Sequence, residues 1–211
     1  PQLFQALGAG DPQTAFLAIA TVASTIFVFM IAVYVQAMKV EIPLSFGRIR
    51  GHGIRWPLSF TYANVIPVIL VSALAANVQL FGGLLEGWLG HATILGSFSN
   101  GTPISGLAFW LQSTNLVQAI IRGSLQQSMI LQSVIHVLFY MAFSAIFAVF
   151  WVKTSGMDEA AQAKNILSSG LQLPGFRKDP RVLEAILKRY VLPLTIMGGL
   201  AIGLLASAAN L

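Results

Sequence analysis

Residues 14–38 pass without a single charged side chain. At about 1.5 Å per residue, a helix over this run crosses a hydrocarbon core of about 30 Å. No other feature restricts the fold as much, because lipid offers no partners to the backbone and the segment must satisfy its own polar groups. Three more apolar runs follow, at 58–80, 128–152 and 190–211. Charged residues make up 9% of the chain and mean hydropathy is +0.77, whereas soluble domains carry about 25% charged residues. There is too little polar surface here to coat a globule in water. The expected fold class is an all-α polytopic membrane protein with four transmembrane helices, packed as one unit in one bilayer.

The formal charge of +5 would suit a nucleic-acid partner if it were spread over a surface, but it is not. Lys39, Arg48, Arg50 and Arg55 fall in one loop; Lys153, Lys164, Arg177, Lys178, Arg181, Lys188 and Arg189 fall in another; only Arg122 lies elsewhere. Such clustering is the positive-inside pattern and places both loops in the cytoplasm. The absence of cysteine excludes disulfides and cysteine-based metal sites. No basic stretch followed by a short apolar core marks a signal peptide. The start at Pro1 and the end at Leu211, inside an apolar run, read as a piece of a longer polypeptide.

Taken in order, residues 1–13 are a polar entry outside the membrane, and 14–38 run from outside to inside. Residues 39–57 form the first basic loop, β-leaning over 40–46, with Gly47, Gly51 and Gly53 supplying turns; a small cytosolic β-like hairpin is expected. The loop runs directly into 58–80, where Pro67 removes a backbone donor in mid-helix and should kink or unwind the span. Residues 81–127 are placed outside. Within them 104–121 is apolar but carries Gln112, Asn115 and Gln118. As a full span it would reverse the charge asymmetry, so it is read as an external re-entrant segment. The span 128–152 holds Gln132 and His136 at helical i, i+4 spacing, suited to an interhelical hydrogen bond rather than a metal. Residues 153–189 form the second basic loop, helical over 158–168 and 181–189. The last span, 190–211, contains Pro193 and the small residues Gly198, Gly199, Gly203, Ala206 and Ser207, which permit close helix packing.

The strings VEIPLSFGRIRG, WPLSFTYANVIPVIL, FWVKTSGMD and PGFRKDPRVLEAILKRYVLPLT together resemble the SecY family of protein-conducting channel subunits, especially its archaeal branch. The likeness covers essentially the whole chain and implies helices six to nine of that family. It implies that the two basic loops dock the ribosome or another cytosolic translocation driver, with Arg48, Arg50, Arg177 and Lys178 meeting ribosomal RNA phosphate, a surface that arginine engages bidentately. Ile69 matches a position in the apolar ring that seals the pore. Asn77 matches a polar position of the lateral gate, with Pro67 on the same helix. Implied partners are the small subunits SecE and Sec-beta, signal sequences, nascent polypeptide and membrane lipid, in the cell membrane. No cofactor is implied.

Each residue also has an ordinary reading. Arg48 and Arg50 can set topology against anionic lipid; Arg177, Lys178 and Arg181 sit beside Asp179 and can be a self-paired solvated loop. Ile69 can pack on a neighbouring helix, Asn77 can be an amide at a helix end, and Pro67 a packing kink. The acidic residues are read in loops or at span ends, so no span carries a catalytic pair, and no enzyme is expected. Two other classes stay open on the residues alone: half of a secondary transporter holding substrate at a broken 58–80 helix, and a non-conducting membrane scaffold whose loops recruit a partner.

Overall fold

The four charge-poor runs fold as helices long enough to span a bilayer. In the computed structural model, residues 12–46, 53–99, 101–172 and 179–211 are described. The spanning helices are α1 (Pro12–Ala37), α2 (Ile66–Leu89), α5 (Gln127–Thr154) and α7 (Pro180–Asn210). Between α2 and α5 lie a hairpin, β3 (Ser97–Ser99) and β4 (Thr102–Ser105), and two helices of six residues each, α3 (Gly106–Leu111) and α4 (Leu116–Ile121). Neither short helix can span.

The second span differs most from expectation. The chain stays extended to Ser59, turns over residues 60–65, and enters α2 only at Ile66. Pro67 therefore occupies the first helical turn, where its missing N–H is one the helix would leave unpaired anyway. It starts α2 rather than breaking it. The proline inside a spanning helix is Pro193, in α7. The gain at the far end is equally large: α2 continues to Leu89, so Glu86 lies in its last turn instead of in a loop. Helix α7 begins at Pro180, capped by the Asp179 carboxylate accepting the Arg181 N–H at 2.9 Å. Its 31 residues measure about 46 Å at about 1.5 Å each, so roughly three turns project beyond a hydrocarbon core of about 30 Å.

Those projecting turns support a small sheet. Strands β1 (Lys39–Phe46) and β2 (Gly53–Ser59) pair antiparallel from Lys39↔Ser59 to Ser45↔Gly53. Alternation sends Ile42, Leu44 and Leu58 into the core and leaves Glu41 and Arg55 exposed, joined by an ion pair at 3.0 Å. Pro43 and Pro57 fall in ladder pairs of the same parity, Pro43↔Arg55 and Glu41↔Pro57. This suits two residues with no N–H to give across the ladder, and it blunts both edges of the ribbon. A third strand, β5 (Leu171–Gln172), adds to β1 at Ser45↔Gln172 and Phe46↔Leu171. Two loops more than a hundred residues apart thus share one sheet.

Under that sheet lies the largest apolar cluster. Ile42, Leu44 and Leu58 meet Ala163 and Ile166 of α6 (Glu159–Ser168) and Leu183, Leu187 and Val191 of α7. Tyr62, in the turn before α2, donates its hydroxyl to the Met157 carbonyl at 2.7 Å. Burial, with Asp158 and Glu159 nearby, pushes its pKa from 10.0 to about 12. The phenol therefore remains a donor, and this contribution to stability is complete below pH 10 and lost as pH rises toward 12. Tyr62→Phe is expected to cost about 1 kcal/mol, measured as thermal unfolding of the full-length protein in detergent. The deficit should shrink above pH 10, where the wild type loses the advantage.

Candidate functional site

Helix α2 has two unlike faces. Pro67, Val71, Ala75 and Gly82 are buried, and α2 packs against α5. The opposite stripe carries Ile69, Ala73, Ala76, Asn77, Leu80 and Leu84, all exposed. Ile69 is 60% exposed, while Val71, two positions on, is 0%; helical spacing puts successive even steps on opposing sides. Asn77 is the twelfth residue of the 24-residue helix and is also exposed. A reading of Asn77 as an amide at a helix end is thereby corrected: both boundaries of α2 shift toward the C-terminus, from 58–80 to Ile66–Leu89, and leave the amide at mid-helix. A lone amide among aliphatic side chains at bilayer depth is costly without a role.

Pro67, proposed from the sequence as a break in this helix, is fully buried at its foot. Beside it an apolar recess of about 210 Å³ lies between α1, α2 and α7, lined by Val28, Ala32, Val65, Val68, Ile202 and Leu205 among others. Its wall offers shape and no charge. Among the described residues no group of His, Cys, Asp or Glu could hold a metal ion. The exposed face of α2 offers branched aliphatics, Ile69, Leu80 and Leu84, that repel water.

The buried face of α5 is polar at every turn near the hairpin end: Gln132, His136, Tyr140 and Ser144 follow at intervals of four. Gln132 Nε2 donates to the Phe109 carbonyl at 2.6 Å and His136 Nδ1 to the Leu111 carbonyl at 2.8 Å. The interhelical bonding expected of this pair is present, and its partner is α3. A six-residue helix leaves carbonyls at its end short of partners; α5 supplies a donor to Leu111 and a second one to Phe109, which also accepts the Gln112 N–H at 3.3 Å. Thr114 and Ser133 share a further hydrogen bond. At mid-height Tyr140 donates to Ser72 of α2 at 3.5 Å.

The four docking residues read from the sequence, Arg48, Arg50, Arg177 and Lys178, lie outside the described residues. The structure does describe the roots of their loops, joined through Phe46↔Leu171. Sequence reasoning missed that junction and also missed Glu86, whose Oε2 accepts the Phe98 N–H at 2.6 Å. For β5 the signal is two residues long, and for Glu86 it depended on knowing where α2 ends.

The comparisons agree with this geometry. A sequence profile of the SecY family matches residues 2–211. The Protein translocase subunit SecY of Methanococcus vannielii is 39% identical over 209 residues, covering 99% of this chain and 46% of the relative. Its counterpart in Haloarcula marismortui is 42% identical over 194 residues, covering 89% and 40%. Two solved structures, one described as a protein conducting channel and one as a SecY protein whose plug domain stabilises the closed channel, each reach a TM-score of 0.79 at 36% identity. Each covers 99% of this chain and 46% of its own. The chain thus spans about half the length of the relatives it matches. With the profile covering nearly every residue, and archaeal relatives and solved folds agreeing in sequence and shape, this multi-pass membrane chain belongs to the SecY family.

Proposed function

We propose that the chain is the part of a protein translocation channel that corresponds to helices six to nine, conducting unfolded secretory polypeptide and releasing membrane segments sideways into lipid. The observation that carries this is the free face of α2: Ile69 stands exposed at 60% on a helix whose other face is packed on α5. Ile69 contributes to an apolar seal that closes by dewetting and deforms around a passing chain. Asn77, on the same open side, adjusts how readily the gate parts, and Pro67 sets the foot of the gate helix. The sheet end faces the cytoplasm of a cell-membrane protein, where Arg48, Arg50, Arg177 and Lys178 receive the ribosome or another driver. SecE and Sec-beta complete the assembly. The many archaeal relatives named as translocase subunits support the reading.

The test is ion conductance of the full-length protein in planar bilayers. Ile69→Gly removes a branched side chain from a seal where closure depends on apolar bulk, so resting conductance should rise severalfold while expression and melting in detergent change little. A resting current equal to wild type would remove Ile69 from the seal and with it the observation on which the channel reading rests.

A further inference from the structure

The segment between α2 and α5 forms a chain of hydrogen bonds held at α2 by Glu86 and at α5 by Gln132, Ser133 and His136, with a further tie from the Leu116 N–H to the Leu211 carbonyl at the end of α7 at 2.8 Å. At α2, Glu86 Oε2 accepts the Phe98 N–H at 2.6 Å. The Phe98 ring lies over Gly82, where an added Cβ would come within 2.9 Å of it. Strand β3 is paired to β4, and the Ser97 and Ser105 hydroxyls bond at 2.6 Å. Helix α3 is tied back to the segment's start, with Leu107 and Ala108 N–H donating to the Ile94 and Leu95 carbonyls at 3.3 and 2.8 Å. At the other end Gln132 and His136 of α5 bond the last carbonyls of α3.

Between these attachments α2 and α5 pack directly, and Tyr140 donates a long hydrogen bond to Ser72 at 3.5 Å. A carboxylate acceptor makes a stronger bond than a neutral one, and two side chains that cap a helix end fix its position. Glu86 lies about 30 Å along α2 from Ile66, about one hydrocarbon-core thickness away, and is partly buried.

We propose that this segment is a brace in series between α2 and α5, with Glu86 as one attachment and Gln132, Ser133 and His136 as the other. It makes the two helices a single gate leaf, so that α2 does not swing away from α5. The proposal rests on the channel reading above and adds positioning residues to it.

A series link has a signature that simple destabilisation lacks: cutting either end releases it, and cutting both adds nothing. In the full-length protein, Glu86→Ala and the set Gln132→Ala, Ser133→Ala and His136→Ala should each raise resting conductance by roughly tenfold, the scale of one lost charge-assisted bond. All four substitutions together should raise it no further. Glu86→Gln keeps a neutral acceptor oxygen and should leak less than Glu86→Ala. Amide exchange at Leu107 and Ala108, between the attachments, should quicken in both sets, a readout independent of current. Multiplying effects in the quadruple variant, unchanged exchange in the α5-end variant, or equal leak from Glu86→Gln and Glu86→Ala would each overturn the brace. Ile69→Gly separates the two ideas. If it leaks while Glu86→Ala stays tight, the brace alone fails; if it does not leak, the channel reading fails first.

Discussion

Gly199→Leu with Gly203→Leu is expected to abolish recovery of folded protein. A Cβ on Gly199 would lie 2.9 Å from Ala145 Cα, Ala148 Cβ and the Ser144 carbonyl oxygen; on Gly203 it would lie 2.7 Å from the Tyr140 carbonyl oxygen and 2.9 Å from Met141 Cα. Apart from Ala148 Cβ these are backbone atoms of α5, and no rotamer change can move any of them aside. Crowding a packed interior costs about 1–3 kcal/mol per site and more where the backbone blocks relief. Here two adjacent turns of the α5–α7 seam are hit together. Lipid supplies no compensating hydrophobic force to press the helices back together, so close packing carries the association. Gly83 and Gly87 of α2 are the controls: nothing lies within 4 Å of a Cβ at either. Alanine there should be neutral or stabilising, because it is the better helix former by about 1 kcal/mol. The measurement is monodisperse yield and melting temperature of the full-length protein in detergent. Intact yield from the double leucine variant would mean that α5 and α7 can separate without loss of the fold.

Charge reversal at the loop tips should have the next largest effect. Arg50→Glu and Arg177→Glu, each in full-length protein in proteoliposomes, are expected to weaken ribosome co-flotation on the order of tenfold at moderate salt, with a shallower dependence of affinity on salt than wild type. The reason to expect each single change to matter is structural. The two loops are rooted in one sheet through β1 and β5, at Ser45↔Gln172 and Phe46↔Leu171, and that sheet rests on a shared apolar cluster. With the roots held together, a partner that engages both loops gains from effective concentration, so each contact reinforces the other. Unchanged co-flotation in both variants would leave the arginines as topology determinants facing anionic lipid.

The amino-acid sequence by itself determined the class and the count of spans. Charge-free runs of bilayer length can only be helices in lipid, and the clustering of lysine and arginine marked out the two loops between them. Extended over 40–46, with glycines to turn, the first loop was legible as a hairpin. The i, i+4 pair Gln132–His136 could be read as a hydrogen-bonding pair, and the glycines of 198–203 as a packing seam, since each follows from local spacing.

Tertiary structure decided the rest. Pro67 looked like an interruption because hydropathy continues smoothly from Leu58, and apolar strand residues such as Leu58 are indistinguishable by composition from the start of a span. Only packing of β2 on α6 and α7 shows that the helix begins at Ile66. That shift of register moved Asn77 to mid-helix and drew Glu86 out of a loop into the last turn of α2. Strand β5 has two residues and no signal of its own; it is a strand because the edge of β1 is there to receive it. The partners of Gln132, His136 and Glu86 lie 12 to 25 positions away, and no local pattern names them. Periodicity tells which way a side chain faces. What it meets there is set by contacts between segments distant in sequence, and those exist only once the bundle has closed.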